Sequence, residues 1–322
     1  MQNNMIDEII NTDKENLLED TTFIVDIDDK NTRIDKYLSD ELAGVSRSRI
    51  QKLLDEGMIT VNNNKVKSNY KVAADDIINV HIPELVVPEI VPEDISLDIV
   101  YEDDDIIVIN KPKGMVVHPA AGHYSGTLVN ALMYHCRDNL SGINGVLRPG
   151  IVHRIDMNTT GVIVACKNDY AHNFIAQQLS VHSITRKYYA IVHNQFNNTE
   201  GVVDAPIGRN PSDRKKMAVD KKNGKRAVTH YRVLEQFGKF SYIECQLETG
   251  RTHQIRVHMA SIGHPLLGDD VYGSGKSPFN LCGQTLHAGV LGFIHPTTKE
   301  YVEYSADLPE YFQKVISRLR NS

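Results

Sequence analysis

Ile151-Val152-His153-Arg154-Ile155-Asp156-Met157-Asn158-Thr159-Thr160-Gly161-Val162-Ile163-Val164-Ala165-Cys166 sets a polar cluster directly against an apolar run. The run from Gly161 to Cys166 reads as a buried strand, in which Cys166 packs as a small hydrophobe. The turn ahead of it is built of Asn, Thr and Gly, residues suited to tight backbone. A carboxylate beside an arginine, at the mouth of a buried strand, suits a reactive site. Asp156 could equally be a turn or capping aspartate, and taken alone these residues favour that plainer role.

The surrounding pattern is mixed. Ile106–Ile109, Tyr188–Val192, Ala227–Leu234, Ser241–Leu247 and Leu286–Ile294 read as further strands. Thr127–Cys136, Asp169–Leu179, Thr252–Ile262 and Pro309–Leu319 read as helices. Neighbouring strands such as 227–234 and 241–247 are joined by short loops, which permit only antiparallel pairing. With no steady alternation of strand and helix, the class is α+β rather than a doubly wound α/β sheet.

Upstream lies a smaller pattern. Thr22–Asp28 alternates as a strand, and Ile34, Leu38 and Leu42 recur at helical spacing. Ser46 is a good N-cap for a second helix carrying Ile50, Leu53 and Leu54, and Gly57 stands where a C-terminal glycine belongs. Ile59–Val61, the turn Asn62–Asn64 and Lys65–Val66 read as a hairpin, with Ile77–Ile82 a further strand. Pro83, Pro88 and Pro92 then mark an extended linker.

A length of 322 residues fits two or three domains. The formal charge of −6 argues against a nucleic-acid partner until it is divided by segment. Residues 1–32 hold nine acids and two bases, and residues 84–105 hold nine acids and no base. The remainder is basic, most densely at 209–226, a presumptive loop with eight bases and two acids. Such a footprint attracts polyanions, although many charge runs are merely solvated surface.

Several chemistries lack their motifs. Gly275-Lys276-Ser277 has Asp270 where a phosphate-cradling loop needs its first glycine. No G-x-S-x-G, H-E-x-x-H or strand-borne G-x-G-x-x-G occurs. Cys136, Cys166, Cys245 and Cys282 are widely spaced, which supports neither a disulfide framework nor paired zinc ligands. His153, His253 and His258 are better read as hydrogen-bonded or RNA-facing than as metal ligands. The acidic N-terminus is no signal peptide, and Pro119 interrupts the long uncharged stretch Gly114–Cys136. A reducing cytoplasm is the default location.

Two more polar clusters remain. Thr249-Gly250-Arg251-Thr252-His253-Gln254-Ile255-Arg256-Val257-His258 crowds polar groups at a helix start, where Arg251 could be only a surface ion-pair residue. Arg186-Lys187-Tyr188-Tyr189-Ala190 offers Tyr188, which could be only a core aromatic.

Taken together, these segments resemble the RluA-type pseudouridine synthases. His153–Gly161 resembles the family's signature, and Asn110–Pro119 the segment leading to its site. Arg186–Ala190 resembles its tyrosine motif, Thr249–His258 its arginine motif, and Leu286-His287-Ala288 a later strand of the site. Arg33–Leu38, Ser46–Ile50 and Val61-Asn62 resemble an S4 RNA-binding module. The likeness covers roughly residues 20 to 315. Ile155 stands where Leu is usual, a volume-conserving exchange.

The resemblance implies a small α/β S4 module followed by a mainly antiparallel mixed-sheet catalytic domain. Expected limits are an acidic leader at 1–20, the S4-like domain at 21–83, a Pro-rich acidic linker at 84–100 and the catalytic domain at 101–322. It also implies isomerisation of uridine to pseudouridine in RNA, most similar to the D-type synthases of large-subunit ribosomal RNA. Another ribosomal site, a transfer RNA, or a non-catalytic ribosome-assembly role are the alternatives. The isomerisation has no net redox change, so neither cofactor nor metal is expected. Asp156 becomes the essential carboxylate, acting by attack at C1′ or removal of the 2′ proton. Arg251 becomes its ion-pair partner and Tyr188 the aromatic that stacks on uracil. Arg154 is the candidate for holding the flipped nucleotide, with Arg33, Arg47, Arg49 and Lys52 gripping phosphates. The family likeness leans towards a monomer.

Overall fold

The computed structural model describes residues 21–42, 44–82, 90–119, 122–137, 139–143, 145, 148–213, 216–273 and 277–321. The leader at 1–20 and residues 83–89 of the expected linker lie outside them. The chain divides into two compact units, Met1–Val87 and Pro88–Ser322.

In the smaller unit β1 (Thr21–Ile24), β2 (Ile59–Val61), β3 (Asn64–Lys65) and β4 (Ile77–Val80) form an antiparallel sheet in the order β1-β4-β2-β3. Strand β1 is shorter than its alternation suggests. Asp26 accepts a bond from the Asp28 N–H, and Ile27–Asp29 wind into a 3₁₀ turn that ends it. The hairpin between β2 and β3 turns through Asn62 and Asn63, both with positive φ (49° and 64°). Asparagine tolerates that conformation, and the resulting twist suits a two-residue hairpin loop. Helices α1 (Ile34–Glu41) and α2 (Arg47–Glu56) bury Ile34, Leu38, Ile50, Leu53 and Leu54 together. The Ser46 side chain caps α2 by accepting from the Arg49 N–H, and Gly57 ends it at φ 79°.

The larger unit is built on nine strands. They are β5 (Ile99–Glu102), β6 (Ile106–Lys111), β7 (Thr160–Cys166), β8 (Thr185–His193), β9 (Glu200–Asp204), β12 (Val228–Phe237), β13 (Phe240–Leu247), β14 (Leu286–Ile294) and β15 (Tyr301–Ser305). Eight run in the order β5-β6-β7-β14-β8-β13-β12-β9, and β15 pairs with β14. All pairings are antiparallel except β7 with β14. Every residue of β7 is buried, in keeping with its apolar run.

Helices α3 (Leu128–Cys136), α4 (Asp169–Ser180), α5 (Gln254–Ser261) and α6 (Glu310–Arg320) complete the unit. Phe312, Val315, Ile316 and Leu319 of α6 pack with Ile191 of β8.

Two segments differ from their sequence reading. From Ile90 onward, the presumed linker packs on the larger unit. Ile90 is in its core with Leu97 against it, and the Asn130 amide donates to the Val91 carbonyl. The basic stretch 209–226 is more than a loop, because β10 (Ile207–Arg209) and β11 (Met217–Val219) form an antiparallel pair. The edge strands β5, β9 and β15 show little apolar alternation, since one face or both remain in solvent.

Candidate active site

Asp156 sits in the turn that feeds β7, and that turn is tied down from several directions. The Thr159 N–H closes it on the Asp156 carbonyl, and Gly114 N–H donates to the Met157 carbonyl. Gln284 Nε2 donates to Thr159 Oγ1 (3.1 Å), and Thr160 Oγ1 lies 2.8 Å from His287 Nδ1 on β14. Gly161 has φ 108°, and a Cβ there would lie 2.1 Å from the Ala288 carbonyl oxygen. Only glycine lets β7 and β14 approach this closely. The backbone carrying Asp156 is therefore fixed by packing rather than by its own side chain.

The side chain turns elsewhere. Arg256 Nη1 donates to Asp156 Oδ2 at 3.0 Å. The same guanidinium grips Asp269 through Nε (2.7 Å) and Nη2 (3.0 Å). Asp269 Oδ1 also accepts from the Val271 and Tyr272 N–H groups. Burial alone would raise the Asp269 pKa, but these bonds and the Arg256 charge outweigh it and hold the carboxyl low. Asp269 is thus an anionic anchor that orients Arg256 towards Asp156. The Arg256 guanidinium also lies 5.1 Å from the Tyr272 ring.

The expected ion pair between Asp156 and Arg251 is absent from this geometry. Arg251 Nε donates instead to the Arg226 carbonyl (3.0 Å). The cause is local: His253 has φ 57° and separates Arg251 from α5, which starts at Gln254. Arg251 lies before that turn on the cleft wall, whereas Arg256 lies within the helical run Gln254–Met259, all of it buried. Sequence reading passed over Arg256, and its one local signal was a charge flanked by Ile255 and Val257. Nothing local marks Asp269, thirteen residues further on.

A cleft of about 450 Å³ opens over these groups, with Arg154, Asp156, Arg186, Tyr188, Arg251 and His253 on its walls. Tyr188 is nearly buried where β8 runs between β13 and β14, with Cys245 and Ala288 as its register partners. Burial raises its pKa, Arg186 opposes this and Asp156 adds to it, so the phenol stays protonated near neutrality. Arg154 is exposed at the rim. His253 lies 3.8 Å from Asp156 and bonds Tyr272 through Nδ1 at 2.8 Å, and burial lowers its pKa.

His153 accepts the Val164 N–H through Nε2, and burial pushes its pKa down to about 3, so it serves as a neutral structural acceptor. His258 bonds Thr229 Oγ1 and the Ala205 carbonyl. Among the described residues, the side chains able to hold a metal are Glu102, His135 and Cys136, outside this cleft, and Glu102 is already paired with Lys167.

Beneath the turn, the fully buried Lys111 ammonium donates to the carbonyls of Pro112, Met115 and Met157 (2.8, 2.8 and 3.1 Å). Burial pushes its pKa down to about 7, against which the Asp156 charge acts. Lys111 thereby connects β6 to the turn that carries Asp156, a role sequence reading did not assign.

In the smaller unit, Arg33 and Arg47 converge on Asp35, whose side chain is fully buried. Arg33 donates through Nε and Nη2, Arg47 through Nη2, and Gln51 through Nε2. Burial would raise the Asp35 pKa, but the bonds from Arg33, Arg47 and Gln51 hold it well below the carboxylate range. About half of each arginine side chain stays exposed (47% and 48%), leaving further N–H groups for an anion. Arg49 is half-buried, and Lys52 is exposed beside Glu56 at 3.5 Å.

Comparison with known proteins matches these two regions separately. The family model described as RNA pseudouridylate synthase matches residues 105–261, and that of the S4 domain matches residues 32–78. The Bacillus subtilis RNA pseudouridine synthase YlyB is 53% identical, the alignment covering 91% of this chain and 96% of the relative. The ribosomal large subunit pseudouridine synthase D of Zymomonas mobilis is 47% identical, covering 89% and 93%. Among solved structures, the human RNA pseudouridylate synthase domain containing 4 superposes with a TM-score of 0.55 at 28% identity, covering 69% of this chain and 92% of that one.

Proposed function

The chain belongs to the RNA pseudouridylate synthase family and carries an S4 domain ahead of its synthase region, and from that premise we propose that it modifies uridines of large-subunit ribosomal RNA with Asp156 as the catalytic carboxylate. The observation that carries the reading is the chain Asp156–Arg256–Asp269 at the base of the cleft. A carboxylate that acts on the sugar must be ionised and correctly aimed. Arg256 aims it, since a guanidinium hydrogen bond fixes the orientation of the carboxylate. Either attack at C1′ or removal of the 2′ proton needs that same charged, positioned group.

The uridine must leave its stack to reach this depth. Tyr188 offers a ring to the extruded uracil, and its protonated phenol makes stacking its primary role. Arg154 at the rim is placed to hold the opened RNA. Arg251 contributes to the cleft wall and is a substrate-facing cation rather than the partner of Asp156. Arg33, Arg47, Arg49 and Lys52 form the phosphate-binding face of the S4 domain, which positions RNA without reading sequence. The large-subunit assignment is supported by the likeness to synthases named for that substrate. We place the protein in the cytoplasm as a monomer. Among the described residues, no helix is long and apolar enough to cross a membrane.

Pseudouridine mapping of total RNA with and without the gene tests the target, and loss at large-subunit positions is the expected result. Asp156→Asn should lower turnover by at least ~10²-fold while RNA binding is retained, judged from the typical contribution of a positioned catalytic group. Full activity in that variant would remove Asp156 from the mechanism, and loss confined to transfer RNA would remove the ribosomal assignment.

A further inference from the structure

The cleft contains a second cation that the chemistry at Asp156 does not use. Arg186 on β8 is only 7% exposed, yet it lines the cleft. Its Nη2 donates to the Glu248 carbonyl at 3.0 Å, while its Nε is buried with no hydrogen-bond partner among the described residues. No carboxylate there lies within ion-pair distance of it. The nearby Asp156 is engaged by Arg256, which is itself shared with Asp269. Arg251 is close enough to repel Arg186, and its Nε likewise rests on a backbone carbonyl, that of Arg226. The wall therefore presents two guanidiniums held by neutral acceptors.

The space around Arg186 is shaped for it. A Cβ on Gly250 would come within 2.5 Å of Arg186 Nη1, so the glycine leaves room for the guanidinium. A buried cation without a counter-ion is costly, and a buried donor without a partner adds to that cost. Both deficits disappear when an anion with several acceptor oxygens enters the cleft. Phosphodiester oxygens suit the planar donor fork of arginine.

We propose that Arg186, assisted by Arg251, binds the backbone phosphate flanking the flipped uridine and so seats the nucleotide against Asp156. The inference rests on the RNA-modifying function proposed above and adds a substrate-binding residue to the same cleft. A phosphate is favoured over a uracil oxygen because the deficit is one of charge as well as of hydrogen bonding.

The test is a binding cycle on short target RNAs in which single phosphates around the uridine are replaced by neutral methylphosphonates. One replacement should weaken wild-type binding by roughly tenfold or more, the scale of a lost charge-assisted bond. In Arg186→Gln the same replacement should cost markedly less, only what Arg251 still contributes at that phosphate. Losses that multiply would overturn the inference, as would a defect that tracks only changes to the uracil oxygens. Arg186→Lys covers the case in which the glutamine variant does not fold. It keeps the charge without the fork, so its penalty should shrink at that one phosphate, and an undiminished penalty would overturn the idea. The readout is affinity, so failure of the Asp156→Asn turnover test would leave this result separately interpretable.

Discussion

Asp269→Asn should damage the enzyme although Asp269 touches no substrate. Its side chain is fully buried and accepts four hydrogen bonds, two from Arg256 and two from backbone N–H groups. An asparagine oxygen at the Oδ1 position can still accept both backbone bonds and Arg256 Nη2. Its amide nitrogen then faces Arg256 Nε, which replaces a 2.7 Å charge-assisted bond with two opposed donors. Breaking a buried pair by removing one partner costs about 3–5 kcal/mol, and the surviving bonds favour the lower figure. For a unit of this size, ~3 kcal/mol corresponds to a fall in Tm of about 6–12 °C.

The pH dependence has a definite sign. The folded pKa of Asp269 is depressed, so its stabilisation is present above the unfolded carboxylate pKa and lost as pH falls through the folded one. Asp269→Asn should therefore lessen the acid-induced loss of stability. Turnover per folded molecule should fall about 10–100-fold, by analogy with groups that orient a ligating or reacting side chain. Thermal unfolding between pH 3 and 8, with single-turnover assays well below Tm, measures both effects. Wild-type turnover in a variant with a lowered Tm would refute the claim that Asp269 acts through Arg256.

Gly161→Ala places a Cβ against the backbone of Ala288 at a residue with φ 108°, so the β7–β14 pair must open. Strained φ and overpacking each cost about 1–3 kcal/mol, which predicts a total near 2–6 kcal/mol; a change below 1 kcal/mol on chemical denaturation would contradict the packing argument. Asp35→Asn should loosen Arg33 and Arg47, lower RNA affinity and reduce its salt dependence. The depressed Asp35 pKa contributes stability above the unfolded carboxylate pKa of ~3.9, lost as pH falls through the folded value. Parallel acid unfolding curves for wild type and this variant would rule that contribution out.

Much of the small unit was legible because its determinants are local. Ser46 and Gly57 fix the ends of α2 through bonds spanning a few residues, and Asn62-Asn63 specify a hairpin by tolerating positive φ. The strands beside Asp156 and around Tyr188 were legible for a related reason, since their apolar character is visible in the chain, whereas the roles expected of the two side chains came from the family resemblance. The edge strands were not, because a strand exposed on one face or both loses the contrast that periodicity depends on. Docking of residues 90–98 was hidden by their acids and prolines, while Ile90 supplies the buried anchor.

Local sequence therefore determined which elements form and which motifs flank them. Tertiary structure decided which arginine serves Asp156. Arg251 and Arg256 lie in one short motif, but His253 turns the chain between them and α5 buries only the second. Asp156 and Arg256 are 100 residues apart, and Asp269 comes from another loop. A sequence window encodes the preference of a turn or helix, but this ion-pair network depends on Asp156 and Asp269 each arriving within about 3 Å of the Arg256 guanidinium. Insertion of β14 between β7 and β8 fixes the sheet around that meeting point, and Gly161 makes the close approach of β7 and β14 sterically possible.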